Sequence, residues 1–138
     1  MVWKNGAVLI QDSNSIALFS YVLKQLDKRK IAFAHLVEPR SGAFATQDEN
    51  LDNKPNVAQI FRDSFKEVII SAGGYNAKMA KDAISSKETD AVAFGRFYIS
   101  NPDLVERLQQ NIAFNHYDRS TFYGGGEKGY TDYPTINA

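Results

Sequence analysis

Three short apolar runs, Ile31–Val37 (IAFAHLV), Val68–Ala72 (VIISA) and Ala91–Phe94 (AVAF), alternate with segments of helical period, and no hairpin turn joins one run to the next. Unbroken apolar runs of strand length suit strands covered on both faces, as in parallel sheets. Parallel neighbours need a crossover, and the helical segments supply it. Ser13 or Asn14 can cap a first helix in which Ile16, Phe19, Val22, Leu23 and Leu26 recur at helical spacing, with Lys28, Arg29 and Lys30 at its C-terminal end. Asn56–Phe65 (NVAQIFRDSF) is a short helix with Val57, Ile60 and Phe61 on one face. Asn76–Ile84 (NAKMAKDAI) is a small-residue helix suited to close approach to a sheet. Pro102 opens a last helix after Ser100 or Asn101 as cap, with Leu104, Val105 and Leu108 facing inward. This order predicts an α/β fold with the three strands as parallel neighbours in sequence order, joined by right-handed crossovers.

A chain of 138 residues with 43% apolar content is expected to form a single domain with a real core. Ser41–Pro55 is polar and aperiodic and reads as a long loop. The tail over residues 111–138 is rich in glycine and aromatic residues and reads as irregular structure. Lys plus Arg and Asp plus Glu are 16 each, so the formal net charge is zero and any charged ligand must be held locally. Neither nucleic acid nor a membrane is an expected partner. The aromatic cluster Tyr117–Tyr133 has few basic residues, and Lys24–Lys30 reads as a solvated helix end. There is no cysteine and there are only two histidines, His35 and His116, which argues against a metal site. His35 sits in an apolar run and is expected to be a hydrogen-bonded core residue, and His116 to lie on the surface of the tail. The apolar run Ala7–Ile10 is too short for a signal peptide, so a cytoplasmic protein is expected.

Two successive runs end in glycine, Ala72-Gly73-Gly74 and Phe94-Gly95-Arg96. Glycine at the C-terminal end of a strand lets backbone N–H groups approach a ligand closely. Arg96 adds a planar guanidinium that matches phosphate oxygens. Corners of this kind on adjacent parallel strands make the phosphate site of (β/α)8 barrels. The same residues also have a plain structural reading, in which glycine merely turns the chain and Arg96 pairs with Asp103.

Asp90–Leu104 with its GRFYISNPDL core, Tyr117–Tyr123 (YDRSTFY), Gly129–Pro134 (GYTDYP) and His35–Arg40 (HLVEPR) resemble the C-terminal third of Old Yellow Enzyme family flavoproteins. The resemblance implies a partial (β/α)8 TIM barrel made of its C-terminal βα units, three or four strands with the fourth over Ala7–Ile10. It implies FMN as cofactor, NAD(P)H as reductant and an activated alkene of enone type as substrate. By the resemblance, backbone amides of Gly73, Gly74, Gly95 and Arg96 surround the FMN phosphate and the Arg96 side chain is its counter-charge. Phe122 and Tyr123 match an aromatic pair near the flavin's dimethylbenzene edge and the mouth of the site. No catalytic residue is assigned, because the family's substrate-binding, proton-donating and flavin-tuning residues match nothing in this chain. Met1–Gln11 departs from the family pattern. A barrel removes sheet edges by closing, whereas three or four strands leave two edges and an apolar face open. Two functions therefore stand side by side: an FMN-dependent oxidoreductase present as a truncated chain, or a non-catalytic half-barrel that self-associates or pairs with another barrel fragment and binds a phosphate-bearing ligand.

Overall fold

The computed structural model describes residues 12–39 and 56–137. The strand expected over Ala7–Ile10, the divergent segment Met1–Gln11, Arg40 and the loop Ser41–Pro55 lie outside the described residues. The chain divides into two compact units, one up to Ala93 and one from Phe94 onward.

The first unit holds α1 (Ser15–Lys28), β1 (Phe33–Val37), α2 (Val57–Phe61), a 3-10 turn (Arg62–Ser64), β2 (Val68–Ala72), α3 (Ala77–Ser85) and β3 (Ala91–Ala93). Each helix starts on an asparagine whose side-chain oxygen accepts a backbone N–H one turn ahead: Asn14 from Ala17 (3.3 Å), Asn56 from Gln59 (3.2 Å) and Asn76 from Met79 (2.8 Å). Such a cap satisfies a donor that the helix itself cannot. Helix α1 ends where Lys30 takes a left-handed φ of 56°, and Lys30 pairs with Glu67 at 3.0 Å.

The strands lie in the order β1-β2-β3, all parallel, as the alternation of elements predicts. Phe33 is in register with Val68, Val37 with Ala72, and Ala72 with Ala93, so the strands end level. On one face, Ala34 and Ile69 pack with Leu23 of α1, Val57, Ala58 and Phe61 of α2, and Phe65. Phe65 and Ile69 are completely buried, and each such side chain contributes about 1.5–3 kcal/mol relative to exposure. The opposite face carries Phe33, Val37 and Val68, which are 53%, 59% and 45% exposed. His35 shares that face and is exposed, so it is not the core histidine its apolar surroundings suggested. Period-two alternation sends Ala34 to the helix side and His35 to the other.

The second unit holds α4 (Arg96–Ser100), α5 (Leu104–Gln110) and a 3-10 turn (Arg119–Thr121) in an otherwise irregular tail. Two details differ from expectation. Ser100 and Asn101 close α4 rather than cap the next helix, and both are fully buried. The Asn101 side chain takes the N–H of Asn115 at 2.7 Å and donates to the Phe97 carbonyl at 2.8 Å, so a polar pin has replaced the expected cap. In α5, Leu104 is buried but Val105 is 56% exposed, and the buried partner on the next turn is Arg107. Its guanidinium reaches Asp103 (2.7 Å) and the carbonyls of Ala113 (2.8 Å) and Pro134 (3.1 Å), which ties the tail to α5.

Candidate functional site

In the first unit, the level strand ends present two features. After β2 the chain passes Gly73 (φ 103°) and Gly74 (φ 69°), both in the left-handed region that residues with a Cβ rarely enter. The double glycine is therefore required by the backbone itself, whatever it binds. After β1 comes Glu38, completely buried. Its carboxylate accepts the N–H groups of Val57 (2.8 Å) and Ala58 (3.0 Å) and the Ser71 hydroxyl (3.0 Å), and lies 3.4 Å from the Tyr75 hydroxyl. Tyr75 donates its hydroxyl proton to Ser71 at 3.0 Å. A buried carboxylate needs this many donors to offset the loss of water. Glu38 thus locks the end of β1 to the start of α2 and to β2. Nothing in the spacing of HLVEPR marks it as buried.

The second unit opens on the Gly95-Arg96 corner. Gly95 precedes α4, and a Cβ built there would meet nothing within 4 Å, so its backbone is open to close approach. Arg96 is the first residue of α4. Its Nη1 donates to the Tyr117 hydroxyl at 3.1 Å, and its guanidinium carbon lies 5.5 Å from the centre of the Tyr117 ring. Asp103, the carboxylate that the plain structural reading paired with Arg96, has other partners. It accepts Arg107 Nε at 2.7 Å and the Ile136 N–H at 2.6 Å. Burial opposes its charge, but the hydrogen bonds from Arg107 and from the Ile136 N–H outweigh it and hold its carboxyl below the usual range.

The expected aromatic pair lies in the same unit. Tyr117 packs against Phe122 (5.5 Å between ring centres), and Phe122 meets Tyr123 edge-on at 6.2 Å and 87°. Tyr123 is 90% exposed. Arg96, Phe122 and Tyr123, far apart in sequence, are therefore joined through Tyr117. Gly73 and Gly74 belong to the first unit. Reading the sequence by element missed Tyr117 as the link. The signal available was its place in YDRSTFY, five residues before Phe122. His116 is exposed in the tail, as expected. Among the described residues no group of acidic, histidine or cysteine side chains could hold a metal ion, and no helix is long and apolar enough to cross a membrane.

The model of the NADH:flavin oxidoreductase / NADH oxidase family matches residues 2–115. The chain is 37% identical over 131 residues to 12-oxophytodienoate reductase 2 of Arabidopsis thaliana, covering 92% of this chain and 33% of that protein. Among solved structures it is similar to morphinone reductase in complex with tetrahydroNAD (39% identity, TM-score 0.75, 91% of this chain and 32% of that one). It is also similar to the old yellow enzyme from Trypanosoma cruzi (35% identity, TM-score 0.78, 92% and 32%). The chain thus spans about a third of the length of these relatives, and its three strands with their helices are part of a (β/α)8 barrel. The family implies FMN as cofactor with NAD(P)H as reductant. With a family model matched over most of its length and a parallel sheet that superposes on flavoenzyme barrels, this chain belongs to the NADH:flavin oxidoreductase / NADH oxidase family, of Old Yellow Enzyme type.

Proposed function

We propose that the chain is the phosphate-holding C-terminal part of an FMN-dependent oxidoreductase that uses NAD(P)H to reduce activated, enone-type alkenes. The observation that carries this reading is the Gly95-Arg96 corner. A guanidinium is held in place by Tyr117 beside a glycine whose Cβ side is open, and Asp103 is engaged by Arg107. A planar cation beside approachable backbone N–H groups fits a phosphate. In this reading Arg96 is the counter-charge of the FMN phosphate, and the amides of Gly95 and Arg96 are further donors to it. Phe122 and Tyr123 lie toward the flavin ring system. FMN, when bound, supplies the hydride-transfer chemistry, and this chain's residues bind and orient it. The reading assigns no catalytic residue within the chain and treats its 138 residues as one functional domain, truncated relative to a full barrel. Its location is taken as cytoplasmic, where NAD(P)H is available as reductant.

FMN titration of the wild type and Arg96→Ala tests the phosphate assignment. A charge-assisted contact contributes about 1.5–3 kcal/mol, so affinity should fall roughly ten- to a hundredfold. Arg96→Lys should recover part of that, since an ammonium keeps the charge but loses the fork. Equal affinities end the reading. Flavin absorbance that bleaches on adding NADPH separates an active oxidoreductase from a binding remnant.

One observation favours a second reading, in which the chain is a non-catalytic half-barrel that self-associates. The sheet face bearing Phe33, Val37 and Val68 is apolar and about half exposed. Such a face is a candidate for burial against a second copy or another barrel fragment. Light scattering that finds a stable monomer at high concentration rejects it.

A further inference from the structure

We propose that Tyr117 is a positioning residue for the phosphate contact: it holds the Arg96 guanidinium in place and ties it to the Phe122–Tyr123 pair. The inference rests on the reading of Arg96 as the counter-charge of the FMN phosphate.

An arginine side chain has several freely rotating bonds, and it recognises phosphate well only when its planar fork is already oriented. Tyr117 supplies that orientation in two ways. Its hydroxyl accepts from Arg96 Nη1 at 3.1 Å, and its ring face lies within cation–π range of the Arg96 guanidinium at 5.5 Å. The ring is itself held. Phe97 meets it edge-on at 5.4 Å and 64°, Phe122 meets it at 5.5 Å, and Phe97 is backed by Phe114 at 5.0 Å. A second guanidinium, that of Arg119, lies 5.6 Å from the same ring centre. The neighbouring carboxylate of Asp118 is turned to its own turn, accepting the Ser120 N–H (2.9 Å) and hydroxyl (2.7 Å). Two cations thus share one aromatic ring in a chain of zero formal net charge. Tyr117 touches Arg96, Arg119 and Phe122 together.

The test compares wild type, Tyr117→Phe, Arg96→Ala and the double variant in two measurements. The first is titration with FMN and, separately, with riboflavin, which lacks the phosphate. Tyr117→Phe keeps the ring and loses the hydroxyl, so FMN affinity should fall roughly two- to tenfold. Riboflavin affinity should be unchanged, and in the Arg96→Ala background the same substitution should leave FMN affinity where it was. An equal loss for FMN and riboflavin, or an undiminished loss without Arg96, overturns the proposal. The second measurement is urea denaturation of the same four proteins without ligand. Tyr117→Phe and Arg96→Ala should be non-additive, as contacting residues are. Strict additivity overturns the positioning role even if the phosphate reading survives. Equal FMN affinity of wild type and Arg96→Ala removes the phosphate reading instead, while the non-additivity still reports on Tyr117 and Arg96.

Discussion

Removing the Glu38 carboxylate should destabilise the first unit more than any surface substitution. Glu38 is completely buried and accepts the backbone N–H groups of Val57 and Ala58 and the Ser71 hydroxyl. In Glu38→Ala the Ser71 and Tyr75 hydroxyls still have each other at 3.0 Å, but the two backbone donors are left buried and unpaired. Each buried orphan costs about 1–3 kcal/mol, so the loss should be about 2–6 kcal/mol. Glu38→Gln keeps the volume and one acceptor oxygen but turns an amino group toward one of the two donors, and should cost about 1.5–3 kcal/mol. A typical domain has about 5–15 kcal/mol in total, so the alanine variant gives up a large share of it. Urea denaturation followed by far-UV circular dichroism measures both: the midpoint should fall in the order wild type, Gln, Ala, with little change in slope. A loss below about 1 kcal/mol for Glu38→Ala would refute the reasoning, because it would mean that the N–H groups find other partners at no cost.

Asp90 should make the sheet sensitive to acid. The Ile69 N–H (2.8 Å), and beyond it Arg62 (2.7 Å), hold its carboxyl below the usual range although burial opposes this. A depressed folded value stabilises fully above the unfolded one, near pH 4, and that part is lost as pH falls through the folded value. Urea midpoints of wild type and Asp90→Asn should therefore converge below about pH 4 and separate above it; a constant gap would contradict this. Gly129→Ala should loosen the tail. Gly129 has φ 72°, and a Cβ there would sit 2.7 Å from Thr121 Cγ2 and 2.8 Å from Thr121 Cβ. With strain and clash together the cost is about 1–3 kcal/mol, which faster proteolysis between Asn111 and Pro134 would report; unchanged proteolysis would contradict it.

The sequence by itself determined the alternation of helices and strands through β3, the parallel sheet and its strand order, but not α4. These follow from local signals: a cap at Ser13 or Asn14, apolar residues at helical spacing, apolar runs of strand length, and glycine after the second and third runs. The resemblance carried by GRFYISNPDL and YDRSTFY was equally legible, because a contiguous motif survives without its surroundings. Apolar residues on both faces of β1 and β2 were readable too. Which of them lie under helices was not: Ala34 and Ile69 do, while His35, Phe33 and Val68 take the other face. Side-chain partners across long stretches of chain needed the tertiary structure. Asp103 belongs to Arg107 rather than Arg96, Arg96 rests on Tyr117 across 21 positions, and Glu38 reaches Tyr75 across 37. Propensity and pattern act over one or two turns of chain. Burying a carboxylate or orienting a guanidinium is settled by whichever donors, acceptors and rings the folded backbone brings within about 3–6 Å.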